Sequence, residues 1–375
     1  MPSYSHRERV LTAFNFQEPD RVVVDMMGNA TMLLDETYLR LRDHLGLSPI
    51  PPVRSGSSAN YYDERILEYF DIDFRRLFLK KHPAAIEIKH EDGSFTDPWG
   101  VRYHKAGLYV NALEHPLHGV TSVKAVDLYD WPRAEDLYTV EGLADEARRL
   151  YDETDYALVA RNPITYGILD RSCQLMEMSE FMMTMAITPQ VAHAIIDHLT
   201  SIYRDVYAMF LDAVGPYVQM VEVGDDLGTQ QSLLISPDMY RQFIKPAERT
   251  LYDLIHEKAP QAALFRHTDG SVFKLIPDLI EVGVNVLNPI QTSSKGMEAD
   301  RLKTSYGHQL TFHGGVEGLN GDVSVDSVVA EVKRLIDTLG PGGGYVLASC
   351  NHMIDVKPDV ITAMFETAQK YGRYQ

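Results

Sequence analysis

The stretch ALFRHTDGS, residues 263 to 271, closes an apolar run with His267 and, two positions on, Asp269. Burying an imidazole or a carboxylate at a strand end costs energy unless each finds a partner. With the thiol of Cys350 they form a donor set suited to zinc, which in catalytic sites takes three protein ligands and keeps one position open. A thiolate favours zinc over magnesium or calcium. The plainer alternative is structural: a lone buried Cys usually packs as a small hydrophobe, and a histidine at a strand end is often only hydrogen-bonded. Spacing alone does not decide between them, because roughly eighty residues separate His267 from Cys350.

Such residues meet only if the chain brings strand ends together, and the apolar pattern shows how. Runs of strand length recur at 22–27, 71–80, 156–162, 217–226, 262–269, 284–290, 310–315 and 345–350, with helical patterns between the later ones. Most are continuously apolar, as expected of parallel strands covered on both faces. Ser236 followed by Pro237 starts a helix over 236–259, and Gly340 stops another over 324–340. The alternation predicts an α/β fold, and eight strands favour a (β/α)8 TIM barrel over an open sheet. Residues 5–21 read as a helical cap, and 84–120, with a hairpin signal at Asp92-Gly93, as a small antiparallel excursion. Residues 1–375 are expected to form one domain.

Composition narrows the function. A chain of 375 residues with 45% hydrophobic content can bury a large core. The formal net charge of -18 repels phosphate backbones and anionic membranes, so nucleic acid and membrane partners are not expected. The start lacks the apolar centre of a secretory signal, and a cytoplasmic protein is expected. Two cysteines, Cys173 and Cys350, do not make a disulfide framework. The Met-rich stretch 174–187 reads as adaptable packing or as a docking surface.

In a barrel, the loops following the strands converge on one mouth. That mouth would gather Arg75, Arg76, Arg161, Asn162, Glu222, Asp225, Asp226, His267, Asp269, Asn288, Gln291, His313, Cys350 and His352. Arg75, Arg76 and Arg161 suit a substrate carboxylate, with structural pairing to the acidic residues of the mouth as the alternative.

The segments 221–246, 267–291, 312–317 and 342–358, with the opening RERVLTAFNFQEPDRVVVD, resemble the uroporphyrinogen decarboxylase superfamily. The resemblance implies a barrel with its active site at the strand C-termini. Decarboxylases of that superfamily carry an arginine-rich segment after the first strand; here residues 26–38 read MMGNATMLLDETY, without arginine. Related corrinoid-dependent methyltransferases carry a zinc motif, His-x-Cys and a distant Cys. His267 and Cys350 match its ends, and Asp269 stands in place of the middle Cys.

An oxygen ligand there makes the metal a harder Lewis acid, better matched to an ether or hydroxyl oxygen than to sulfur. The resemblance therefore implies a zinc-dependent methyltransferase moving a methyl group between a small O- or N-methylated substrate and the cobalamin of a corrinoid protein, in the manner of an O-demethylase. The metal ligands would be His267, Cys350, Asp269 and Glu222. Asp226, His313 and Asn288 would be catalytic, and Arg75, Arg161, Asn162 and Gln291 would bind substrate. A homodimer is a further expectation from relatives. The alternatives are a metal-independent decarboxylase of a small carboxylic acid or porphyrinogen-like substrate, and a binding protein on a retired barrel.

Overall fold

The structure, a computed structural model, describes residues 4–29, 31–53, 58–107 and 109–374. Its centre is an eight-stranded parallel sheet. The barrel strands are β1 (Val23–Val24), β2 (Phe74–Leu77), β3 (Ala157–Ala160), β4 (Met220–Gly224), β5 (Ala263–His267), β6 (Val286–Asn288), β7 (Thr311–Val316) and β8 (Tyr345–Ser349). From β2 to β8 each pairs with its neighbour in chain order, and β8 returns to β1, which leaves β1 and β2 as the two ends of the sheet. Seven fall within the apolar runs of the sequence, and β7 extends one residue past its run.

The seam between β1 and β2 is joined by one residue. Asp73 donates its N–H to Val24 O at 3.2 Å and accepts the Val24 N–H on Oδ2 at 2.9 Å. Its fully buried carboxylate also meets Arg9 at 2.7 Å, Arg21 at 2.8 Å and His6 at 2.9 Å. A side chain thus supplies the bond that a ladder would otherwise make, and it does so with its charge compensated.

The barrel interior has two storeys. In the lower, Val23, Phe74, Ala157, Val159, Met220, Phe265, Val286 and Val346 pack into one apolar cluster. Helix α1 (His6–Phe14) closes this end, adding Val10 and Ala13 to the cluster. Ser5 and Glu8 form the capping box that starts α1. Side chains two residues apart along a strand share a face, so the next storey holds Asp25, Arg76, Arg161, Glu222, His267, Asn288 and Ala348, with His313 following Thr311 on β7. Six of the eight barrel strands therefore turn from apolar to polar as they run towards the mouth.

The helices lie outside. The segment predicted over 236–259 is helical from Pro237 to Lys258, with Ser236 accepting the Met239 N–H at 3.1 Å. One wider turn, Tyr240–Ile244, interrupts it just before Pro246, whose nitrogen cannot donate. Ser324 caps Val325–Leu339, which ends at Gly340. Between β2 and β3, the strands Ile88–Lys89, Phe95–Thr96, Arg102–Ala106 and Tyr109–Glu114 form an antiparallel meander, turning at Gly93 with φ 81°. Among the described residues, no helix is long and apolar enough to cross a membrane.

Candidate metal and substrate site

At the mouth end of the polar storey, His267, Asp226 and Asp269 converge so that one ligand-type atom from each lies within 4.8 Å of the others. His267 ends β5, Asp226 follows β4, and Asp269 lies just past β5. His267 Nε2 stands 3.7 Å from Asp226 Oδ1, and that same oxygen accepts the Asp269 N–H at 3.0 Å. Asp269 Oδ1 is buried without a hydrogen-bond partner. Burial raises the Asp269 carboxyl; the His267 charge opposes that and the Asp226 charge adds to it.

A third acid completes the group. Asp170 lies in α2 (Ile168–Met176), and its Oδ2 accepts the Asp226 N–H at 3.3 Å. Burial and then the charge of Asp226 push its carboxyl up to about 6. Three carboxyls around one imidazole, with one buried oxygen unpartnered, leave local negative charge uncompensated. A divalent cation fits such a donor set.

Behind His267 runs a line of buried polar side chains. His267 Nδ1 lies 2.7 Å from Asn288 Oδ1, Asn288 Nδ2 lies 2.9 Å from His313 Nδ1, and His313 Nε2 lies 2.8 Å from Asp25 Oδ2. Arg76 grips Asp25 through both its terminal nitrogens, at 2.9 and 2.5 Å. Burial would raise the Asp25 carboxyl, but the Arg76 charge and the His313 bond overcome it and hold it down to about 2. Gly28 rests on this arginine: a Cβ there would lie 2.2 Å from Arg76 Nη2.

This arrangement corrects several expectations. Glu222, expected as a metal ligand, is fully buried against Arg76 Nε at 3.2 Å and stands outside the three-residue cluster, because its register is with Phe265, two residues before His267, and its carboxylate is held by the arginine. Asn288 and His313, expected to act on substrate, are fully buried and reach the mouth only through His267. Arg75, expected at the substrate, points out of the barrel: its guanidinium bonds Glu64 and the carbonyls of Ile72 and Phe74, and stacks 3.5 Å over Tyr156. Strand alternation puts Phe74 and Arg76 inside and Arg75 outside.

The remaining candidates lie around the mouth. Arg161 Nη1 bonds Asn162 O at 2.9 Å, while Nη2 approaches Asn29 Oδ1 at 3.5 Å and Met32 Sδ at 3.7 Å. Among the described residues it pairs with no carboxylate, and its Nε is buried without a partner. Burial lowers the pKa of this guanidinium. Asn162 Oδ1 accepts from Ile164 N–H and Tyr207 OH, both at 3.0 Å. Gly224 is closely approached by its neighbours: a Cβ there would sit 3.3 Å from His267 Cβ, 3.4 Å from Asn162 Nδ2 and 3.5 Å from Asn29 Nδ2. Gln291 Oε1 accepts the Gly270 N–H at 2.9 Å and so holds the turn that carries Asp269.

Cys350 is fully buried and outside the three-residue cluster; burial, then the charges of Glu317 and Asp269, raise its thiol. Asp225, which also reads as a turn residue, accepts the Leu169 and Asp170 N–H groups at 2.7 and 3.0 Å and so caps α2. Of the Met-rich stretch, Met176 and Met185 are core, while Met178 and Met183 are exposed. Sequence reasoning missed Asp170 and Asp25. Asp170 sits in an ordinary helical pattern and gives no signal. Asp25 gives one: a charged residue two positions beyond an interior valine in an otherwise apolar run.

A parallel barrel with acid and imidazole side chains gathered at the C-terminal ends of its strands defines a class, the (β/α)8 barrels whose chemistry is carried on the loops of one mouth. Within that class, residues 113–371 match the family described as Uroporphyrinogen decarboxylase (URO-D), and the chain belongs to that family. Among solved structures, it aligns over 98% of its length with 99% of a methyltransferase from Methanosarcina mazei, at 15% identity and a TM-score of 0.65. Xylanase 10B from Thermotoga petrophila aligns over 62% of this chain and 80% of its own, at 13% identity and a TM-score of 0.38, too loosely to bear on function. No curated protein matches the chain.

Proposed function

We propose that the chain is a metal-dependent methyltransferase that takes a methyl group from a small O- or N-methylated substrate and passes it to a corrinoid carried by a partner protein. The observation that carries this reading is the convergence of His267 Nε2, Asp226 and Asp269 at the barrel mouth, with Asp269 Oδ1 buried and unpartnered. The end-to-end likeness of the fold to a methyltransferase supports it. The residues present would hold zinc through His267, Asp226 and Asp269, with Cys350 proposed as the further donor. Bound there, zinc would supply Lewis acidity that stabilises the heteroatom as the methyl group departs.

The chain's own residues supply binding and a proton. Arg161, a cation with no carboxylate partner among the described residues, is placed to bind an anionic group of the substrate. The side-chain amides of Asn29 and Asn162 lie close to Gly224 and His267 and would offer donors to a small substrate. Asp170, retaining its proton into the weakly acidic range, can hold a proton for the departing oxygen or nitrogen.

Elemental analysis of protein purified without chelator tests the metal: stoichiometric zinc is expected, lost in His267→Ala. In cobalt(II)-substituted protein, a sulfur-to-metal charge-transfer band that disappears in Cys350→Ser is expected; without that band, the donor set is nitrogen and oxygen alone. A metal-independent decarboxylase is the second reading, favoured by Arg161, which pairs with no carboxylate among the described residues, and by the protonatable Asp170. Turnover of a small carboxylic acid undiminished by chelators would establish it.

A further inference from the structure

A neutral imidazole can bind a metal only through the nitrogen that lacks its proton, and in water it prefers to carry that proton on Nε2. In this chain Nε2 is the nitrogen of His267 that faces Asp226, so the preferred form in water is the wrong one for the site. We propose that Asp25, through His313 and Asn288, fixes the proton of His267 on Nδ1 and so keeps the Nε2 lone pair directed at the metal position. The three are positioning residues; none touches substrate. The proposal deepens the metal reading above and rests on it for its purpose, though not for its geometry.

Donors and acceptors fix the line link by link. Asp25 is a carboxylate bound to both terminal nitrogens of Arg76, and it can only accept. His313 Nε2, 2.8 Å away, must therefore carry a proton. In neutral His313 that leaves Nδ1 as an acceptor, so the Asn288 atom 2.9 Å from it must be the NH2 group. The amide then has one orientation, with its oxygen 2.7 Å from His267 Nδ1. An oxygen there requires Nδ1–H, and the free lone pair falls on Nε2. Every member except His267 is fully buried, so water cannot substitute for a missing link. The carboxylate stays ionised because a buried arginine sits against it, not because it meets solvent.

The polarity of the line is thus set at its far end. With Asp25→Asn the amide can donate to His313 Nε2; each later link then reverses, and His267 receives its proton on Nε2. Asn288→Leu cuts the line and frees His267 to follow its preference in water. Asn288→Asp keeps an acceptor against His267 Nδ1 and should preserve the native tautomer. A packing role would not separate Leu from Asp in this way.

The test is long-range 1H–15N correlation on the metal-free full chain labelled with 15N-histidine at neutral pH, the His267 signals being assigned by their loss in His267→Gln. A protonated Nδ1 with an unprotonated Nε2 is expected for the native chain and for Asn288→Asp, and an Nε2-protonated or mixed form for Asn288→Leu and Asp25→Asn. Zinc affinity, measured by competition with a chromophoric chelator, should fall about 10–100-fold in Asn288→Leu. A native His267 protonated on Nε2 overturns the proposal, whether or not any variant folds. The expected tautomer in a protein that binds no zinc would uphold the hydrogen-bond line and overturn the metal reading instead.

Discussion

Arg161 pairs with no carboxylate among the described residues, and the charge of Glu222 offsets its burial only in part. Removing it with Arg161→Ala should cost about 1.5–3 kcal/mol of substrate binding if a charge-assisted pair forms there, which appears as a rise in KM of roughly 10–100-fold. Stability should change little or improve, since an only partly compensated charge leaves the mouth; a melt of the variant reads this separately from its kinetics. His267 and Asp269 announced themselves in the sequence because they end an apolar run. Whether Arg75 or Arg76 faced inward was not legible without knowing the strand's phase, and the ion pair of Glu222 with Arg76 required two strands far apart in sequence to meet. Asp170 could be found only after α2 had been placed against the turn at Asp226.

At the scale of elements, the seam between β1 and β2 depends on Asp73. Asp73→Asn keeps its shape but leaves Arg9 and Arg21 facing a neutral group inside the protein. A loss of about 3–5 kcal/mol is expected at neutral pH, as for a broken buried ion pair, measured by urea denaturation. Burial raises the Asp73 carboxyl, but Arg21, His6 and Arg9 overcome this and lower it below its ordinary value. Its contribution is therefore complete above the unfolded carboxylate pKa of about 3.9 and disappears as pH falls through the lower native value. The gap between native protein and variant should narrow over that acidic window. The eight strands were legible because both faces of each are covered and the runs are apolar throughout. The seam was not, because β1 is only two residues long and its closing bond comes from a side chain.

For the whole molecule, a ligand that binds the folded chain alone stabilises it by mass action. Zinc at a free concentration one hundred times its Kd should add about 2.7 kcal/mol, visible as a rise in Tm that a chelator reverses and that His267→Ala abolishes. A formal net charge of -18 should make that association weaken as salt is added, since the long-range field favouring a cation is screened. Failure of any divalent metal to shift the melt would remove the main support for methyl transfer and leave the family and the fold standing.

The lower storey of the barrel, stoppered by α1, makes the interior a well and not a tube. Traffic enters and leaves by the same opening, so whatever settles over that rim shuts in what already lies beneath it. A small molecule must therefore arrive before any large companion and depart after it, and the order of events is written into the shape of the vessel before any chemistry begins.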